Sequence, residues 1–403
     1  MQTPDRHADA ALPTSMGGPP APRGIDIPPF YAGEIGRQAV ALQRAGRRII
    51  AMHFGQPTLG PPPAVHAAAH RAIDAGPHGY VESPELRERI ARHYLETYDV
   101  RVPTSRILLT AGASAGLVAT FTTLFAAGDR VGLARPGYPA YRNSLAALGR
   151  VPVEIDCGAD RAFRLDPDLV AGMPGPLHGL VVASPGNPTG AMLSAGQLAA
   201  VAAACRARGT QLVSDEIYHG IGYGEPAATA LACEPRAIVI NSFSKLYRMP
   251  GWRLGWLVAP EDCVARLSAH LINFFLTPPS AAQQAALAAF DDPADLRAAV
   301  DGYARNRALL LAELPGMGLG GIAPPDGAFY LYLDVGHLTN DSLAFCRELL
   351  EATGIALAPG IDFDPRDGHR FVRLSFAVSN EEVARALELL RPWLRARAAH
   401  AAR

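Results

Sequence analysis

From residue 106 onward, short apolar runs recur with a regular beat, at 107–109, 130–133, 180–182, 211–213 and 237–240. Runs of this length, bounded by polar residues and turn formers, read as buried strands. Alanine-rich stretches of helical length, such as 194–208, lie between them. Strands alternating with helices predict β-α units around a mainly parallel sheet, an α/β fold. Upstream, residues 31–46 read as a helix and 49–54 as a strand that runs into the turn-rich Gly55-Gln-Pro-Thr-Leu-Gly-Pro-Pro-Pro. Towards the other end, Phe371-Val-Arg-Leu-Ser-Phe reads as an apolar strand carrying one cation, Arg373. Ser379-Asn-Glu-Glu382 is a capping box, and the helix it opens has an apolar stripe of Val383, Leu387, Leu390 and Leu394, a packing face.

In open sheets of this kind ligands bind beyond the carboxyl ends of the strands, so the residues just after each run should converge. They are Ala111-Gly-Ala-Ser-Ala-Gly, Arg135-Pro-Gly-Tyr-Pro-Ala-Tyr, Ser184-Pro-Gly-Asn-Pro-Thr-Gly, Ser214-Asp-Glu-Ile-Tyr and Asn241-Ser-Phe-Ser-Lys. The last opens 241–256, NSFSKLYRMPGWRLGW, where Lys245 stands at a strand end between hydroxyls and eight positions before Arg253. Ser242, Ser244 and Arg253 can hold a phosphate while the lysine amine condenses with an aldehyde on the same ligand. That combination describes pyridoxal phosphate. Ala113 and Ser114, opening a helix after Gly112, form a second part of a phosphate cradle. Tyr138 offers a face to a planar ring, and Asn187 an amide to a ring hydroxyl. The Asn187-Pro188 bond is a candidate cis peptide. Asp215 can pair with a pyridinium nitrogen, and Tyr218, one helical turn on, can share the ring oxygen with Asn187. Each has an ordinary reading when taken alone: Tyr138 as packing, Asn187 as a turn former, Asp215 as a helix cap, Tyr218 as an interface aromatic. Together they answer every polar group of that cofactor.

Composition narrows the field. A chain of 403 residues, 49% hydrophobic, is long enough for two lobes, because single cores stop growing at roughly 250–300 residues. A net charge of −1 leaves no electrostatic footprint for nucleic acid or an anionic membrane. The cysteines (157, 205, 233, 263, 346) are widely spaced without a C-x-x-C, which points to a reducing, cytoplasmic setting rather than disulfides or zinc. No stretch approaches a membrane span, and no basic-then-apolar leader opens the chain. His66 and His70 stand four apart on a predicted helix but lack a third ligand, so they are read as ordinary helix histidines.

SPGNPTG, SDEIY and SFSKLYRMPGWRLGW, in that order along the chain, resemble the fold-type I pyridoxal-phosphate enzymes of the class I/II aminotransferase family, from about residue 25 to 394. The resemblance implies a mostly parallel large-domain sheet over 65–287. It also implies a smaller α/β domain built from both chain ends, 31–64 and 288–403; residues 1–30, rich in Pro, Gly and Ala and without a period, read from composition as a disordered arm. It implies Lys245 as the covalent anchor that later moves the α-proton, Asp215 on the ring nitrogen, Asn187 and Tyr218 on the ring hydroxyl, and Tyr138 stacked on the ring. The phosphate would lie among Ala113, Ser114, Ser242, Ser244 and Arg253. Arg373 would grip the substrate α-carboxylate, with Gly55 adding a backbone contact. Tyr80 would reach the neighbouring subunit's phosphate in a homodimer with shared sites. The chain departs from its relatives at Thr58, at Asp364, in the turn after Tyr80 and at Ala113-Ser-Ala-Gly.

The expected reaction is ping-pong transfer of an amino group from an L-amino acid to a 2-oxo acid. The absence of an obvious second cation favours a neutral or aromatic side chain. The alternative is another Cα-carbanion reaction, β-elimination or oxygen-dependent oxidation or hydroxylation. A different class is also latent, because Gly112-Ala-Ser-Ala-Gly116 fits the G-x-S-x-G of a serine hydrolase, with His369 as the late histidine. That reading leaves Lys245, Asp215, Asn187 and Arg253 without roles. A ligand-sensing regulator would need a DNA-reading domain, and no basic helix-turn-helix precedes residue 30.

Overall fold

The computed structural model describes residues 25–76, 78–320 and 323–401. Most of the expected N-terminal arm, residues 1–24, lies outside the described residues; 25–30 are exposed and without regular structure. The first helix, Tyr31–Arg44, has its leading amides capped by a distant carboxylate: Tyr31 and Ala32 donate to the two Asp362 oxygens, each at 2.8 Å.

Among the described residues, twelve strands follow in chain order. β1 (Ile50–Ala51) is short. β2 (Ile107–Thr110), β3 (Arg130–Arg135), β4 (Val151–Asp156), β5 (Gly179–Ala183), β6 (Gln211–Asp215), β7 (Ile238–Ser242) and β8 (Gly255–Val258) make one sheet. β9 (Tyr330–Asp334), β10 (Ile355–Ala356), β11 (Ala358–Pro359) and β12 (Phe371–Ser375) belong to the C-terminal part. The seven-stranded sheet runs β2-β8-β7-β6-β5-β3-β4 and is parallel except at β8, which lies antiparallel to both of its neighbours. β11-β12-β9 is an antiparallel sheet, and β1 pairs with β10 in parallel.

The apolar runs of the sequence lack polar alternation because both faces of the large sheet are covered. The period of two is still visible in the packing. Val239 joins Leu212, Trp256 and helix residues Leu198 and Val201 on one face, while Ile238 and Ile240 join Leu117, Phe121 and Leu257 on the other. A separate core gathers both chain ends, with Ile35, Ile50 and Met52 against Leu331, Phe345, Leu349 and the stripe Val383, Leu387, Leu390 and Leu394. Each such side chain contributes roughly 1.5–3 kcal/mol on burial. The capping box forms as read: Ser379 N–H donates to Glu382 Oε2 at 3.1 Å and Glu382 N–H to Ser379 Oγ at 3.2 Å.

Five strands escaped the reading of the sequence, two of them, β10 and β11, only two residues long. β4 is an edge strand with mixed burial, β8 starts in the last two residues of GWRLGW and runs on to Val258, and β9 lies in an aromatic run. The strand expected over 49–54 shrinks to β1, because Met52 N–H bonds to Ala356 and the chain then turns away at His53. Among the described residues no helix is long and apolar enough to cross a membrane.

Candidate active site

The carboxyl ends of β2, β3, β5, β6 and β7 converge, as the open-sheet rule requires. They meet at a cavity of about 310 Å³. Ala113, Ser114, Tyr138, Asn187, Asp215, Tyr218, Ser244, Lys245, Arg253, Gly55 and Arg373 all line it. These include residues more than 300 positions apart in the chain.

β8 explains how Lys245 and Arg253 come to share the site. Asn241 pairs with Trp256 and Ser242 with Gly255, so the intervening connection leaves the sheet end and returns to it, carrying Ser244 and Lys245 out and Arg253 back. The Lys245 ammonium donates to the Gly55 carbonyl at 2.6 Å. Burial draws its pKa down to about 8, helped by the positive charge of Arg373 and opposed by Asp215. Gly55 tolerates no larger residue, since a Cβ there would lie 1.9 Å from the Tyr330 hydroxyl.

Asp215 ends β6 and is buried. Its Oδ2 accepts from the Tyr141 hydroxyl at 2.6 Å and its Oδ1 from the Ile217 N–H at 3.1 Å. Burial holds this carboxyl above its ordinary pKa, while those hydrogen bonds and the Lys245 charge favour the anion. Tyr138 stands edge-on to Tyr141, centroids 5.4 Å apart.

At the other end of the cavity, helix Ala113–Leu124 points its N-terminus inward, next to Arg253. Gly112 makes this approach possible: its φ is +80°, and a Cβ would fall 2.4 Å from an Arg253 Nη. Arg253 donates only to carbonyls, those of Pro250 at 2.9 Å and Ala111 at 3.4 Å. Arg373, 2% exposed on β12, donates to Asn187 Oδ1 at 2.8 Å and the His53 carbonyl at 2.5 Å, and its Nε has no partner. Its guanidinium lies 4.5 Å from the Tyr330 ring and 4.6 Å from that of Phe363. Among the described residues, neither arginine has a carboxylate within ion-pair distance, although acids pair with many others. Two cations without anions, one at each end of a cavity, make a site for a ligand with two anionic groups.

One expected ligand contact, that of Ser242, needs correction. Ser242 does not line the cavity; its hydroxyl donates to the Leu254 carbonyl at 2.9 Å and lies 2.8 Å from Ser244 Oγ, so it supports Ser244 instead. Asn187 and Tyr218 both line the cavity and have partners there: Asn187 accepts from Arg373, and the Tyr218 hydroxyl lies 2.6 Å from that of Tyr330. Tyr80 is outside the cavity and 79% exposed. The Asn187-Pro188 bond is cis. For the hydrolase reading, His369 is turned to the Arg366 carbonyl at 2.9 Å and does not line the cavity that holds Ser114. Sequence reading missed Tyr141, Tyr330 and Phe363. Tyr141 carried a faint signal, three residues after Tyr138; the other two had none.

The comparisons agree with this geometry. The family model for aminotransferase class I and II matches residues 47–390. A valine–pyruvate aminotransferase of Mycobacterium tuberculosis is 44% identical, covering 91% of this chain and 97% of the relative. An aspartate/prephenate aminotransferase of Thermus thermophilus is 32% identical over 88% of this chain and 93% of its own. Among solved structures, an aminotransferase from Mycobacterium tuberculosis superposes with a TM-score of 0.89 at 42% identity, covering 92% of this chain and 97% of that one. The aspartate aminotransferase from Thermus thermophilus with maleate gives 0.85 at 31% identity, covering 92% and 99%. With its sheet order, its strand-end residues and these matches over most of its length, this chain belongs to the class I and II aminotransferase family.

Proposed function

We propose that this aminotransferase uses pyridoxal phosphate, as its family does, to move an amino group from a neutral or aromatic L-amino acid to a 2-oxo acid by a ping-pong route. The cavity suits that cofactor. The Gly112 cradle and Arg253 offer a cation and backbone donors to a phosphate, Asp215 a buried carboxylate to a ring nitrogen, and Lys245 an amine to an aldehyde. The cofactor, when bound, supplies an electrophilic carbon and a sink for the electron pair left at Cα.

The protein's part follows from the side chains. Lys245 has a pKa of about 8, so a useful fraction of its amine is neutral near physiological pH, able to attack a carbonyl carbon and later to take and return the Cα proton. Asp215, whose anion is favoured by Tyr141 and the Ile217 N–H, would hold a proton on the ring nitrogen. Tyr138 would offer its ring to the cofactor's. Asn187 and Tyr218 bind the ring hydroxyl once the ligand competes for their present partners. Arg373 orients the substrate carboxylate through a planar fork already fixed by Asn187 and His53.

The side-chain preference rests on the rest of the lining. Phe30, Phe54 and Ile217 face the cavity, and its three cations, Lys245, Arg253 and Arg373, are each assigned above. The similarity to a valine–pyruvate aminotransferase points the same way, and the aminotransferase names of the relatives favour transfer over elimination or oxidation. We also infer a homodimer with shared sites, to which the exposed Tyr80 contributes, and a small domain formed by 31–64 with 288–403. Five unpaired cysteines support a reducing compartment.

One observation carries the reading: a lysine amine in a cavity between a buried aspartate and an arginine that has no acid partner. The test is a single-turnover experiment. Purified protein loaded with pyridoxal phosphate should lose its visible absorbance on mixing with L-valine or L-phenylalanine and regain it with a 2-oxo acid. Lys245→Ala should abolish turnover. A Lys245→Ala protein turning over at the wild-type rate would refute the assignment.

A further inference from the structure

The segment 360–368 touches the site at three points. Asp362 caps the helix Tyr31–Arg44 and thereby places Phe30, which lines the cavity. Phe363 lies 4.6 Å from the Arg373 guanidinium, and its carbonyl accepts the N–H of Gly137, the residue before Tyr138, at 3.0 Å. Asp364 is buried and accepts from Nη1 of Arg135 at 2.8 and 3.0 Å. Arg135 is buried too, and it donates further to Asp367 at 2.8 Å and to Asp156 at 2.6 Å.

This cluster ties the carboxyl end of β3, in the large sheet, to the segment between β11 and β12 of the smaller one. Arg135 and Asp364, the two buried members, act together, because removing one leaves the other charge less compensated in a poorly solvated place; Asp156 and Asp367 are more exposed. Asp364 also shapes the turn, since its Oδ1 accepts from the amides of Arg366 at 2.9 Å and Asp367 at 3.0 Å. The segment cannot slide without moving Phe363, and Phe363 cannot move without releasing one face of the Arg373 guanidinium and the loop that carries Tyr138.

We propose that Asp364 is a positioning residue for the substrate carboxylate: its ion pair with Arg135 locks the segment that holds Phe363 against Arg373. The proposal rests on the reading of Arg373 as the carboxylate ligand. Asp364→Asn keeps the size and the two amide contacts and removes the charge. With the loaded enzyme, KM for L-valine and the dissociation constant of 3-methylbutanoate, the same carbon skeleton without the amine, should rise together by about tenfold. The kcat should stay within about threefold, and the cofactor absorbance should not shift.

An unchanged KM and unchanged 3-methylbutanoate affinity would overturn the proposal, even if the variant melts at a lower temperature, because the role would then be structural. A wild-type protein that neither reacts with L-valine or L-phenylalanine nor binds the carboxylate would instead sink the transamination reading and this proposal with it. Should Asp364→Asn fail to fold, Asp367→Asn removes a more exposed carboxylate from the same Arg135 nitrogen. It should raise both constants by about two- to threefold, and no change would equally overturn the proposal.

Discussion

The hydrogen bond from Tyr141 to Asp215 gives the sharpest test of how this site controls charge. Tyr141→Phe removes one oxygen and leaves the ring, which is buried beside Tyr138. At 2.6 Å to a buried carboxylate, the lost bond is charge-assisted, and such bonds contribute about 1.5–3 kcal/mol. The remaining support for the anion is the Ile217 N–H and the Lys245 charge. Burial already pushes the Asp215 pKa upward, and the variant pushes it further, so the carboxyl takes up a proton at a higher pH than in the wild type. If Asp215 must be ionised for turnover, kcat/KM at neutral pH should fall by about 10–100-fold, since each 1.36 kcal/mol is a factor of ten. The acid limb of the pH profile should move to higher pH, with the loss greatest at low pH and partly recovered on the alkaline side. The assay is kcat/KM against pH for both proteins with the same amino acid, alongside the cofactor absorbance to show equal loading. A variant whose profile overlays the wild type would show that the Tyr141 bond does not sustain the charge of Asp215.

Other outcomes follow from the same geometry. Capture of added pyridoxal phosphate by cofactor-free protein should accelerate as pH rises through about 8, because the Lys245 ammonium is unreactive until it loses its proton; a rise delayed to the ordinary lysine range near 10 would contradict this. Arg373→Lys keeps the charge but not the planar fork, and kcat/KM for amino acids should drop roughly 10–100-fold with the cofactor still bound, as read by turnover and absorbance. Gly112→Ala forces a Cβ to 2.4 Å from Arg253 at a φ of +80°; titration should show cofactor affinity weakened by about tenfold or more, and unchanged affinity would remove Arg253 from the phosphate site.

Much of this protein was legible in one dimension because two physical rules are local. Apolar runs too short for helices, separated by helical stretches, specify buried strands, and β2, β3, β5, β6 and β7 lie where the runs do. Ligands gather at the carboxyl ends of parallel strands, so the residues after each run, among them Lys245, Asp215 and Asn187, could be named before any distance was known. The cap of the last helix is equally local, spanning three positions.

What stayed hidden are contacts between residues far apart in the chain. Tyr141 lies 74 positions from Asp215, and Tyr218 lies 112 from Tyr330, and no periodicity relates such pairs. β8 was invisible because its neighbours, not its composition, make it a strand: four residues of GWLV pair on both sides and so complete a sheet. Ser242 shows the converse. Its place beside Ser244 and Lys245 suggested a ligand contact, but the direction of a side chain at a strand end is set by the strand across from it, and here the Leu254 carbonyl takes the hydroxyl. Residue type and spacing thus set which groups are present and near which strand end, whereas chain packing sets where each group points and which partner satisfies it, because a buried polar atom left without a partner is costly.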